Sequence, residues 1–191
     1  MRMQIREASL LVGIAVLLVE MNARAGGGPQ RRLFPEAREM RDREASALIG
    51  RMAPNLQARE WIGAPVDLRD FRGKVVIVDF WASWSGASRQ QLSSLRRLSE
   101  KYNGQFVIVG VTNLDGQTID KIQDLVRKHK APDLVAIDHE SLTHHAYHVR
   151  EIPYTFLIDR EGVVQFASIG ADDARLEEAL DRAITSGNVT Q

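Results

Sequence analysis

Apolar residues along the chain fall into two periods. Val75-Val76-Ile77-Val78 is a continuous β-branched run, the pattern of a strand buried on both faces. Behind it, Leu92, Leu95, Leu98 and Tyr102 recur at helical spacing. Gln105 to Val111 predicts a second buried strand, and Asn113-Leu114-Asp115-Gly116 a turn. Ile119, Ile122, Leu125 and Val126 then line one face of a helix. Leu134 to Asp138 is a short strand, and Ser141 to His148 a short helix. Thr155 to Asp159 and Val163 to Phe166 flank Arg160-Glu161-Gly162 as a hairpin. A last helix, capped by Asp172, buries Leu176, Leu180, Ala183 and Ile184. Strands alternating with helices, followed by a hairpin and a helix, predict an α/β fold with a central mixed β-sheet flanked by helices.

Before this core the pattern changes twice. Arg2 and Arg6 precede the apolar run Leu10 to Val19, and Ala23-Arg24-Ala25 follows, the layout of a signal peptide over 1–25. The run is shorter than the ~20 residues of a spanning helix. Cleavage after Ala25 leaves Gly26 as the mature N-terminus, and an uncleaved membrane anchor is the alternative. The expected location is therefore periplasmic or extracellular, with membrane attachment only through an uncleaved leader. Residues 26–52 read as a linker, Gly26-Gly27-Gly28-Pro29, and a helix of alternating charge from Pro35. That helix is expected to be solvated; docking to a partner through Leu33, Phe34 and Leu48 is the other reading. The compact domain is expected over 53–186 and a tail over 187–191. Trp61 to Lys74 reads as two short strands and a turn, an N-terminal β-hairpin extension.

Composition narrows the function. The 191 residues carry a formal net charge of zero, without the basic excess that nucleic-acid binding wants. There is no cysteine, which excludes disulfides, thiolate metal sites and intrinsic thiol redox chemistry. No cofactor is implied.

The run Val75 to Phe80 leads through Trp81-Ala82-Ser83-Trp84-Ser85-Gly86-Ala87-Ser88-Arg89 into a helix, placing free N–H groups and a positive dipole end at the turn. This segment resembles the active-site segment of the thioredoxin superfamily, and most closely its secreted TlpA-type members. Ile152-Pro153-Tyr154-Thr155-Phe156 resembles the cis-proline loop of the same superfamily, in its place before the terminal hairpin and helix. The resemblance covers about residues 53 to 186 and implies a thioredoxin-like fold. It implies a Trp-Cys-x-x-Cys motif whose cysteine positions are here Ser85 and Ser88, and a buried proton-handling acid at Asp79. The chain departs from the TlpA-type pattern at Ala87, Gln91, Ser93 and Tyr154, which reads as drift of the whole site away from redox work.

Ser85 and Ser88 form no disulfide, and a helix dipole worth at most ~2 kcal/mol does not make a hydroxyl into a thiol. They are expected to serve as a helix cap and a small packed residue. No histidine is expected beside Ser85, as a serine hydrolase would need. Asp79 is expected to be buried, with a raised pKa, and bonded to Ser88 or a water. Trp81 is expected in the core and Trp84 at the rim. His139, His144, His145 and His148 cluster near Asp138 and Glu140; His144 and His148 stand four apart, a workable pair of metal ligands on one helix, against the plainer reading of a polar surface helix.

The function expected is an exported, non-catalytic thioredoxin-like module. It would bind extended polypeptide or a partner protein through Trp84, Ser85, Gly86, Ile152, Pro153 and Tyr154. The enzyme alternative is a TlpA-type thiol-disulfide oxidoreductase seen with Ser-x-x-Ser in place of its cysteines. Glutathione transfer through Ser85 lacks the helical second domain of that family.

Overall fold

The structure, a computed structural model, describes residues 42–129, 132, 134–170 and 172–186. The leader, the linker and the tail expected at 187–191 lie outside the described residues.

Six strands form one sheet: β1 (Glu60–Ile62), β2 (Val75–Phe80), β3 (Phe106–Thr112), β4 (Leu134–Ile137), β5 (Tyr154–Ile158) and β6 (Val164–Ile169). Their order is β1-β4-β3-β2-β5-β6. The run Val75 to Phe80 lies near the middle, parallel to β3 and antiparallel to β5. The helices are α1 (Gly86–Lys101), α2 (Ile119–His129), α3 (Leu142–Ala146) and α4 (Asp173–Thr185).

The alternation of side chains along β2 divides the core. Val75 and Ile77 join Leu95 and Leu98 of α1 and Leu176 and Leu180 of α4. Val76, Val78 and Phe80 face the other way, into a cluster with Tyr147, Phe156 and Leu56. Both faces are covered, so each fully buried aliphatic side chain contributes roughly 1.5–3 kcal/mol. A third cluster joins Trp81 and Leu92 to Ile122, Val135 and Ile137, seating α2.

Three expectations are corrected. Glu60–Ile62 does not form a hairpin with the segment after it; it pairs antiparallel with β4, Glu60 opposite Ile137. The segment after it, Leu68–Phe71, is a 3-10 helix capped by Asp67, whose Oδ1 accepts the Arg69 N–H at 2.8 Å. A capping aspartate competes with extended structure, which is why the second strand does not form. Next, the charged stretch before residue 53 is not simply solvated. Residues 42–46 are helical, and Ala45 and Leu48 are buried in the main core cluster. The chain beyond pairs with the sheet edge: Gly50 donates to the Val164 carbonyl at 2.8 Å and receives company from Val164, which donates to Arg51 at 2.9 Å. Finally, the short helix ends at Ala146 rather than His148, because His148 adopts a left-handed φ of 56°.

The other elements lie where the apolar spacing puts them. Ser85 and Asp172 occupy the N-caps of α1 and α4. Gly162, at φ 85°, turns the β5–β6 hairpin, and Asp159 Oδ1 accepts the N–H groups of Glu161 and Val163 there.

Candidate functional site

Strands β2 and β5 are neighbours, with Phe80 opposite Tyr154. The loop leaving β2 and the loop entering β5 therefore emerge side by side at one end of the sheet. The first carries Trp81 to Ser85, and the second Ile152 and Pro153, joined by a cis peptide bond.

Both serine hydroxyls act within the turn. Ser85 Oγ accepts the Ser88 N–H at 3.2 Å, closing the N-terminus of α1. Ser88 is fully buried, and its Oγ accepts the Ala82 N–H at 3.3 Å. These are the cap and the packed residue expected from the sequence.

Asp79 is fully buried beneath this turn, but its partner is not Ser88. Thr155 Oγ1 donates to Asp79 Oδ1 at 2.8 Å, and Gln91 Nε2 donates to Thr155 Oγ1 at 2.9 Å. Antiparallel pairing sets Thr155 directly opposite Asp79, which brings its hydroxyl within reach before Ser88. Asp79 Oδ2 and Gln91 Oε1 are buried without a hydrogen-bond partner among the described residues. Burial pushes the Asp79 carboxyl from its ordinary 3.8 to about 7, and the Thr155 hydroxyl only partly offsets this. The sequence pattern did not reveal the Gln91–Thr155–Asp79 chain; the signal available was polar Thr155 inside an apolar strand, two residues after Pro153.

Trp81 is buried and Trp84 is 58% exposed. The Trp84 indole is nonetheless fixed, its Nε1 donating to the Asp115 carbonyl at 2.8 Å. Ser83 N–H donates to Gln117 Oε1 at 2.7 Å, a second tie between the turn and the loop after β3. Gly86 is exposed and Ile152 half-buried, while Pro153 is buried. The Ile152 N–H and carbonyl make no hydrogen bond among the described residues.

Tyr154 does not belong to the exposed face. It is 2% exposed, its ring stacks on Phe156 with centroids 4.9 Å apart, and its hydroxyl donates to Asp42 Oδ1 at 2.7 Å. As the first residue of β5, it is turned by the pleat into the same core layer as Phe156.

The histidines fit neither the metal-ligand pair nor a plain surface helix. His144 is only 9% exposed, and its Nδ1 lies 2.7 Å from Asp138 Oδ2, which also accepts the His144 backbone N–H at 2.9 Å. The His144 ring packs edge-on against Phe80, with centroids 4.9 Å apart. His148 lies beyond the helix, so the four-residue spacing does not put the two rings on one helical face. His139 meets Glu60 at 2.9 Å. Among the described residues no group of three or more His, Asp or Glu is placed to hold a metal ion. Burial alone would raise the Asp138 carboxyl, but hydrogen bonds from His144 and from the backbone outweigh it and hold the group below its ordinary range.

Comparison with known proteins agrees with this geometry. The chain is 29% identical over 141 residues to the thiol-disulfide oxidoreductase ResA of Bacillus thuringiensis subsp. konkukian, spanning 73% of this chain and 81% of that one. It is 25% identical over 141 residues to the thioredoxin-like protein YneN of Bacillus subtilis, spanning 73% and 82%. Among solved structures, a candidate thiol:disulfide interchange protein DsbE from Chlorobium tepidum superposes with a TM-score of 0.61 at 31% identity, covering 71% of this chain and 97% of that one. The fold is thioredoxin-like, and the homologues are thiol-disulfide oxidoreductases of ResA and DsbE type, whereas this chain has no cysteine. The AhpC/TSA family model matches residues 49–167, and the chain belongs to that family.

Proposed function

We propose that this protein is an exported, non-catalytic thioredoxin-like module that binds extended polypeptide, or an extended segment of a partner protein, at the face between Trp84 and Ile152. The observation that carries the reading is the exposed Trp84, held rigid by Asp115 beside a turn in which the Ser85 and Ser88 hydroxyls accept backbone N–H groups. An aromatic ring fixed in advance loses little freedom on binding. The Ile152 backbone, with both hydrogen-bonding groups uncommitted among the described residues, supplies an edge of the kind that an extended chain pairs with. Ser85, Gly86 and Pro153 complete the rim; Tyr154 is left out because it is buried.

Immobilised wild type and a Trp84→Ala, Ile152→Pro variant are compared for capture of extracellular proteins. Recovery of the same set by both overturns the reading. Export rests on the layout of residues 1–25, and N-terminal sequencing of the exported protein is expected to begin at Gly26. No helix among the described residues is long and apolar enough to cross a membrane.

A second reading, a thiol-disulfide oxidoreductase scaffold with serine at its cysteine positions, is favoured by one observation. Asp79 still lies buried under the turn with a pKa of about 7 and an Oδ2 unpartnered among the described residues, the arrangement of a proton-handling acid. Restoring both cysteines tests it.

A further inference from the structure

The indole of Trp84 forms one wall of a groove of about 330 Å³ whose other wall is α2. Lys121, Leu125 and Lys128 lie along a single stripe of that helix, at spacings of four and three, and all three line the groove. Gly116, at φ 70°, forms the floor beneath the ring: a Cβ placed there would stand 3.5 Å from Trp84 Nε1. Ser83 completes the lining from the Trp84 side. The apolar surface of the groove thus comes from Trp84 and Leu125, with an ammonium group at each end of the stripe.

The two ammonium groups, of Lys121 and Lys128, are exposed and are not matched by ion pairs among the described residues. Asp124 also lines the groove, but its Oδ1 is engaged by Arg127. On the far side of Ser83, Arg89 spends a guanidinium N–H on the Ser83 carbonyl at 2.8 Å and has no carboxylate partner among the described residues. Beside the indole the Asp115 carboxylate accepts from Asn113 Nδ2 at 2.9 Å, so Lys121, Lys128 and Arg89 stand against the two carboxylates of Asp115 and Asp124, a small positive excess in a chain whose formal net charge is zero.

The geometry points to an acidic partner segment: an extended polypeptide with an apolar side chain seated on Trp84 and Leu125 and carboxylates on either side meeting Lys121 and Lys128. This rests on the polypeptide-binding reading above and names the chemistry of the polypeptide. Exposed cations on a rim add little affinity singly, but two of them flanking an apolar anchor set register, speed association and reject basic partners. A single-stranded nucleic acid would also bring stacking groups and negative charge, but the neutral net charge of the chain does not favour it.

The test uses three fluorescein-labelled peptides with one apolar centre, acidic GEDLFEDG, neutral GSNLFSNG and basic GKRLFKRG, with fluorescence anisotropy as the readout. Wild type is expected to bind the acidic peptide about tenfold more tightly than the neutral one, and the basic one most weakly. Raising the salt from 50 to 300 mM narrows the difference. A Lys121→Glu, Lys128→Glu variant, checked for folding by circular dichroism, is expected to reverse the acidic–basic order. Equal binding of the three peptides, or an order that survives the charge reversal, overturns the inference. In that case a Trp84→Ala variant that weakens all three leaves the polypeptide-binding reading standing; if it weakens none, or if no peptide binds, both fall. Octathymidylate displacing the acidic peptide at lower concentration than the unlabelled peptide itself does also overturns the inference.

Discussion

The hydroxyl of Ser85 accepts the backbone N–H of Ser88 at 3.2 Å, so one serine at a cysteine position caps the helix and thereby positions the other. Replacing Ser85 with alanine leaves that N–H without its side-chain acceptor. The expected loss is about 1 kcal/mol of folding stability, measured by urea denaturation. Ser88→Ala is expected to cost at least as much as Ser85→Ala, since Ser88 is fully buried and its loss leaves the buried Ala82 N–H without this acceptor.

Restoring sulfur tests the chemistry that the turn still fits. A Ser85→Cys, Ser88→Cys variant places a thiol at a helix N-terminus, where its thiolate is favoured, above a buried acid. This variant is expected to reduce insulin in the presence of dithiothreitol above the background rate, and wild type is expected not to. If the double variant is as inert as wild type, the scaffold has lost the oxidoreductase geometry as well as the cysteines.

Asp79 makes stability depend on pH in an unusual direction. Its folded pKa of about 7 lies above its ordinary 3.8. Below pH 4 the carboxyl is protonated in both states and imposes no penalty. Between pH 4 and 7 only the unfolded chain ionises, so stability falls as pH rises, and above pH 7 the penalty is complete. Asp79→Asn is therefore expected to match wild type near pH 4 and to exceed it above pH 8, by at most about 4 kcal/mol. Denaturation midpoints across that range check the sign; a constant difference at all pH values contradicts the assignment.

The Asp138–His144 pair acts in the opposite sense. Hydrogen bonding holds the Asp138 carboxyl below its ordinary range, so its contribution is present above pH 4 and is lost as pH falls through the folded value. His144→Ala leaves the buried Asp138 carboxylate with only backbone donors. A loss of about 3 kcal/mol at pH 7 is expected, shrinking in acid, as measured by chemical denaturation at pH 3 and 7.

Much of this fold is legible in the sequence because its strongest patterns are also its packing. The β-branched run of β2, the leucine spacing of α1 and the Asp172 cap each occur where periodicity puts them. What stays hidden depends on contacts distant in sequence. Ala45 and Leu48 are two apolar anchors in a charged stretch, and they become core residues because the chain there returns to the main cluster, with Gly50 and Arg51 paired to Val164. The resemblance marks the loop at Tyr154, but the pleat of β5 decides which way the ring faces. His144 reads as one of a surface group because the Asp138 side chain that buries it lies on the preceding loop, outside any helical period.

The most direct test of polypeptide binding between Trp84 and Ile152 is an NMR titration with the carboxymethylated insulin B chain, an extended polypeptide whose thiols are blocked. Specific shifts are expected at the Trp84 indole N–H and the Ile152 amide, absent at the Trp61 and Trp81 indoles, and reduced throughout in Trp84→Ala. Saturating polypeptide that leaves those two signals unmoved, or moves a cluster on another face, would contradict the account.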